Sequence, residues 1–189
     1  MKITNLVKCY ENHVVINRLT LDLEKGGVYA IMGSSGCGKT TLLHILMGIL
    51  EPDGGIIEKA GEKSFSAVFQ ENRLFDFLTA AENVAVAQKK LQKSETINQV
   101  LTEILPKTSL EQKVEEFSGG MKRRVAIGRA MLVESDVIVM DEPLTGLDEG
   151  TRDQVIRFIL KHRGGRTLIF STHQEKEVKL FGAEKIVMG

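Results

Sequence analysis

The sequence predicts an α/β protein with a mostly parallel core sheet, an antiparallel β subdomain at its N-terminus and a helical subdomain inserted mid-chain. Three observations carry this. The glycine-rich run GSSGCGKT (33–40) joins a short apolar stretch to a helical one. Short apolar runs alternate with helical patterns through the second half of the chain. Between about 72 and 116 no such run occurs, and the sequence there reads as short helices.

Taken in order, KITNLVKCY and VVINRLTLDLEKG alternate apolar and polar residues, as half-solvated antiparallel strands do, and stop at Gly26-Gly27. VYAIM (28–32) is continuously apolar, which suits a strand covered on both faces. KTTLLHILMGIL (39–50) is helical and is ended by EPDGG. Strands around Ile56–Ile57 and Ser64–Phe69 lead to Gln70. Thr79 and Glu82 are spaced as a capping box, and Leu91 to Leu105 carry apolar residues at helical spacing as far as Pro106. A helix from about Ser118, the strand DVIVM (136–140), a helix after Asp148, the strand TLIFST (167–172), a helix from about Gln174 and the strand EKIVM complete the pattern. The expected organisation is one domain, with a core of residues 1–71 and 117–189 and the helical subdomain at 72–116.

Composition narrows the class. The 189 residues include 25 Lys plus Arg and 25 Asp plus Glu, so the formal net charge is zero and broad electrostatic binding to nucleic acid is not expected. Hydrophobic residues make up 42%, as in ordinary globular proteins. No apolar run approaches the roughly 20 residues that span a bilayer, and MKITNLVKCYENH lacks a signal-peptide core. Cys9 and Cys37 have no metal-ligand spacing and make no disulfide framework. The expectation is a cytoplasmic protein without a membrane segment of its own.

GSSGCGKT matches the phosphate-binding pattern G-x-x-x-x-G-K-[ST] in its required place, after a buried strand and opening a helix. Gly33, Gly36 and Gly38, with Ser34, Ser35 and Cys37, let backbone N–H groups approach phosphate oxygens. Lys39 is placed to neutralise the β- and γ-phosphates, the Thr40 hydroxyl to join a Mg²⁺ shell, and Thr41 to meet the α-phosphate. VIVMDE (137–142) ends a buried strand in two carboxylates. There Asp141 reaches Mg²⁺, through water, and Glu142 polarises an attacking water. Cys37 inside the loop predicts inhibition by thiol reagents and protection by nucleotide.

A second anion cup follows. FSGGM (117–121) opens a helix with Ser118, Gly119 and Gly120, whose first N–H groups have no partner within the helix. Together with Tyr10, GSSGCGKTT, Gln70, VIVMDEP, TGLD (145–148) and STH (171–173), it falls in the order found in ABC (ATP-binding cassette) transporter subunits. The chain resembles that family from about Lys8 to Met188, nearest in flavour to importer cassettes for nitrate, sulfonate or taurine-like solutes.

The resemblance implies a head-to-tail homodimer, or a pairing with a related cassette, with ATP and Mg²⁺ sandwiched between the first cup of one chain and the second cup of its partner. Ser118, Gly119, Gly120 and Asp148 would then act across the interface. It further implies that Tyr10 stacks on adenine, that Gln70 touches Mg²⁺ and the attacking water, and that His173 bonds the γ-phosphate and holds Glu142 and water in line. Phe117 and Met121 depart from the commonest signature, which has Leu and Gln there. The helix KRRVAIGRA is expected to turn Val125, Ile127 and Ala130 inward and Lys122 with Arg123 or Arg124 outward, as a solvated face rather than a nucleic-acid patch. Phe75, Phe77 and Leu78 form either part of a docking groove or part of the subdomain core. The expected function is ATP hydrolysis powering transport through separate transmembrane permease subunits at the inner face of the membrane, with a solute-binding protein acting through the permease. A soluble ABC ATPase, such as one for cofactor assembly, and a P-loop kinase are the alternatives.

Overall fold

The computed structural model describes all residues except 12, 59–62 and 91. Two sheets organise the chain. β1 (Lys2–Tyr10) pairs antiparallel with both β2 (His13–Asp22) and β4 (Gly54–Glu58), in the order β2-β1-β4. The second sheet is wholly parallel, with β5 (Phe65–Val68), β6 (Val137–Met140), β7 (Thr167–Thr172), β3 (Val28–Met32) and β8 (Glu184–Val187) adjacent in that order.

The apolar strands are buried on both faces because successive side chains leave on opposite sides. Val137, Val139, Ile31 and Ile169 face one side and pack with Leu42, Leu43 and Leu46 of helix α1 (Lys39–Met47) and with Ile3, Leu6 and Ile16 of the antiparallel sheet. Ile138, Met140, Leu168 and Phe170 face the other side. There they meet α4 (Gly119–Leu132), α5 (Glu149–His162) and α6 (Glu175–Phe181). α1 is thus sandwiched between the sheets, which fixes the loop before it.

Residues 72–116 carry α2 (Ala80–Ala85), α3 (Ser94–Leu101) and two 3₁₀ turns. The Thr79–Glu82 capping box forms as expected. Ala80, Val84, Ile97, Leu101 and Ile104 join the same apolar cluster as the sheet face beneath α4. Two helices end earlier than the spacing predicts. α1 stops at Met47 because Gly48 turns left-handed (φ 74°) and closes the last turn with its own N–H. α3 spans only Ser94–Leu101, and Leu91, the expected start, lies outside the described residues. Among the described residues no helix is long and apolar enough to cross a membrane.

Candidate active site

Parallel pairing brings four loops to one edge of the sheet. β3 runs into the glycine-rich loop, β5 toward Gln70, β6 into Asp141 and Glu142, and β7 into His173. This is the carboxyl edge at which open α/β sheets bind ligands.

Gly38 caps α1 in a left-handed conformation (φ 98°) that L side chains resist, and a Cβ there would lie 2.6 Å from Val15 Cγ1. Glycine is therefore required where the loop turns into the helix. Lys39 is buried, and its ammonium donates to the carbonyls of Gly33 (2.9 Å) and Ser34 (2.8 Å). The Thr40 hydroxyl donates to Asp141 Oδ2 at 2.6 Å. A cavity of about 380 Å³ opens over these groups and is walled by Tyr10, Ser35, Gly36, Thr41, Gln70 and Glu142 among others. Tyr10 is about half exposed (47%), so its ring is available to a planar partner. Cys37 instead faces a second cavity with His13, Asn17 and the end of β8.

The Thr40 and Asp141 oxygens already touch, and Gln70 lines the same cavity, a hard-oxygen donor set of the kind Mg²⁺ takes alongside phosphates. Among the described residues no group of three or more His, Cys, Asp or Glu could hold a metal alone. An ion here would complete its shell with nucleotide oxygens, which fits a nucleotide-borne Mg²⁺.

Glu142 is one of the few non-glycine residues with positive φ (44°), a conformation that persists only when neighbours over-determine it. They do so. Its N–H donates to Ser171 Oγ at 2.8 Å, and Ser171 Oγ donates in turn to Asp141 Oδ1 at 2.5 Å. The Glu142 carboxylate accepts from the Thr145 hydroxyl at 3.3 Å, and His173 Nδ1 lies 3.9 Å from its other oxygen. Sequence reasoning missed Ser171 and Thr145. Ser171 is fully buried within a strand, and the Ser-Thr pair before His173 was the signal that it has a polar task.

Ser118 caps α4 by accepting from Met121 N–H (3.3 Å), and Asp148 caps α5 by accepting from Thr151 N–H (3.0 Å). The hydrogen bonds from Thr151 hold the Asp148 carboxyl below its usual range. Gly119 and Gly120 border a cavity of about 280 Å³ that also meets Gln70, Thr145 and Glu142, whereas Ser118 stands apart from the Lys39 cavity.

One expectation needs correction. Val125, Ile127 and Ala130 are buried as expected, but the basic residues of α4 do not form a solvated face. Arg123 is buried and hydrogen-bonded throughout, and Arg124 donates to the carbonyls of Ile104 (2.6 Å) and Gly120 (3.3 Å). Lys122 alone of the three reaches outward, to Asp76. The signal was available, since 123, 127 and 130 lie on one helical stripe. For Phe75 and Phe77 the sequence leaves two places open, a docking groove or the subdomain core. They stack edge-to-face on the surface, 46% and 63% exposed, so they are not subdomain core. They also stand outside the apolar groove of about 400 Å³ formed nearby by Ile49, Phe65, Phe69 and Ala87.

A phosphate loop, a paired acidic strand and a histidine at the carboxyl edge of a parallel sheet define a P-loop nucleotide hydrolase. The family profile described as ABC transporter matches residues 16–145. The taurine import ATP-binding protein TauB of Roseobacter denitrificans is 36% identical over 206 residues, spanning 100% of this chain and 77% of the relative. The spermidine/putrescine import ATP-binding protein PotA of Acetivibrio thermocellus is 32% identical over 204 residues, spanning 100% of this chain and 58% of the relative. A dimeric ATP-binding cassette in a post-hydrolysis state with ADP and Pi superposes with a TM-score of 0.85 at 24% identity, over 99% of this chain and 93% of that one. The chain belongs to the ABC transporter family, as an ATP-binding subunit.

Proposed function

We propose that two copies of the chain, or one copy and a related cassette, bind ATP at head-to-tail sites, and that its hydrolysis drives solute import through separate permease subunits. The split of the phosphate-binding parts carries this reading. Lys39, Thr40, Asp141 and Glu142 converge on one cavity, while the second cup, Ser118-Gly119-Gly120, lies outside it. A helix N-terminus outside the Lys39 cavity of its own chain suits the phosphate of a partner's nucleotide.

In this reading Tyr10 stacks on the base and the loop of Gly33, Ser34, Ser35, Gly36, Cys37 and Gly38 surrounds the phosphates. Lys39 neutralises them, and Thr41 meets the α-phosphate. Thr40, Gln70 and Asp141 hold Mg²⁺, which supplies charge neutralisation of the developing phosphate oxygens. Glu142 takes a proton from the water whose oxygen attacks the γ-phosphorus, and ADP leaves. His173, oriented beside Glu142, bonds the γ-phosphate. From the partner, Ser118, Gly119 and Gly120 close over that phosphate, with Asp148 at the interface. Residues 72–116 act as a helical subdomain on the core of 1–71 and 117–189.

The exposed Phe75–Phe77 pair and the neighbouring apolar groove are the surface offered to a permease segment at the inner face of the membrane. The names of the relatives at 36% and 32% identity support import, and the first supports a taurine-like sulfonate as the solute. Two measurements test the reading. Glu142→Gln with ATP should elute at dimer mass and Ser118→Arg in that background as monomer, whereas monomers throughout would refute the sandwich. A tagged chain isolated from gently solubilised membranes should bring a multi-span permease with it, and recovery of soluble partners alone would refute the transport role.

A further inference from the structure

Arg123 opens the second turn of α4, three residues beyond Gly120, yet is 5% exposed. All five of its N–H donors are engaged. Nε donates to Pro143 O (3.1 Å); one terminal nitrogen donates to the carbonyls of Asp141 (2.6 Å) and Glu142 (2.7 Å). The other donates to the carbonyls of Phe69 and Gln70 and to Asn72 Oδ1. Every acceptor is neutral, so these bonds are not there to pair a charge. They tie three segments to one rigid fork: the N-terminal part of the SGG helix, the loop of Gln70, and the backbone carrying Asp141 and Glu142.

We infer that Arg123 is a positioning residue that couples the helix gripping the partner's nucleotide to the glutamine and carboxylate acting on the chain's own. This rests on the head-to-tail reading above. The strained Glu142 backbone is held from two sides, by Ser171 at its N–H and by Arg123 at its carbonyl. Any rotation of α4 that follows phosphate binding at Ser118–Gly120 must therefore move that carbonyl or break the fork. Gly120 packs beside Gly146 and Leu147, so the same part of α4 also abuts the TGLD loop. Burial pushes the guanidinium down from its ordinary range, against the upward pull of the Asp141 and Glu142 carboxylates, and it remains charged at any working pH. Lysine keeps the charge but offers three donors from one point, so it cannot hold three segments in fixed geometry.

The test compares the parent chain with Arg123→Lys and Arg123→Met, following ATP hydrolysis against ATP concentration, binding of a fluorescent ATP analogue, and thermal melting. The inference expects kcat to fall on the order of a hundredfold in Arg123→Met, with a partial recovery in Arg123→Lys. KM should change by less than about twofold, since the Lys39 cavity is left intact. The Hill coefficient for ATP, above unity in the parent, should drop to unity in both variants. A purely structural role would lower the melting temperature while leaving kcat per folded molecule and the Hill coefficient at parent values, and that result overturns the inference. If Arg123→Met does not fold, Arg123→Lys decides on the same criteria. Glu142→Gln chains that stay monomeric with ATP overturn the head-to-tail reading itself. Dimers in Glu142→Gln together with parental kcat and Hill coefficient in Arg123→Lys overturn this inference alone.

Discussion

Ser171→Ala removes one oxygen from a fully buried strand position and should cost far more than a serine-to-alanine change on the surface. The hydroxyl donates to the Asp141 carboxylate at 2.5 Å and accepts the Glu142 N–H at 2.8 Å. Hydrogen bonds to a charged group are worth about 1.5–3 kcal/mol, and a buried N–H left without an acceptor costs about 1–3 kcal/mol. The two effects together come to roughly 2.5–6 kcal/mol. In a chain of this size each kcal/mol lowers the melting temperature by about 2–4 °C, so the expected drop is roughly 5–24 °C by calorimetry. Turnover should fall as well. Glu142 keeps its unfavourable backbone conformation only while both ends are held, and a carboxylate displaced by about 1 Å loses on the order of a hundredfold in rate. A variant that melts within a degree or two of the parent, or that hydrolyses ATP at the parental rate, would show that Ser171 does not hold the acidic pair.

Two further outcomes follow from the same geometry. A maleimide should abolish ATPase activity by attaching bulk to Cys37, whose sulfur sits against Gly33 in the phosphate loop, and bound nucleotide should slow the reaction. Parental sensitivity in Cys37→Ser, which retains Cys9, would refute this. Glu103 joins the 72–116 segment to α5 by accepting from Lys161 at 2.8 Å, with His162 at 3.1 Å, and the Lys161 bond leads in holding its carboxyl below the ordinary 4.5. A depressed carboxyl contributes stability that is complete above its unfolded value and is lost as pH falls through the folded one. The melting temperatures of the parent and Glu103→Gln should therefore differ near neutrality and converge below about pH 4.5. A gap that stays constant on acidification would refute it.

Much of the fold was legible because its strands announce themselves. VYAIM, VIVM and TLIFST have no polar face to offer water, so only a sheet covered on both sides accommodates them, and the glycine loop between one of them and a helix fixes the chain direction at the edge. Element ends were less legible. Gly48 outweighed the apolar pattern that continues to Leu50, since a left-handed residue closes a helix whatever follows it.

At the site, residues that line the Lys39 cavity were readable from motif spacing, whereas those that hold them in place were not. Ser171 and Arg123 look ordinary in sequence, a serine near a strand end and one base in a run of three. Their roles depend on which carbonyl or carboxylate the fold brings opposite them, and those partners lie 30 and 18 residues away for the bonds to Asp141. Long-range polar pairing of this kind carries no periodicity. What does show is the mismatch between residue type and helical stripe: an arginine at 123, in line with Ile127 and Ala130, must either expose that stripe or find neutral acceptors for five donors. The structure takes the second course with the backbone at Phe69–Gln70 and Asp141–Pro143. A charged residue on a buried stripe thus marks a place where the fold must supply backbone acceptors, and Arg123→Lys tests whether the inferred coupling needs the fork or the charge alone.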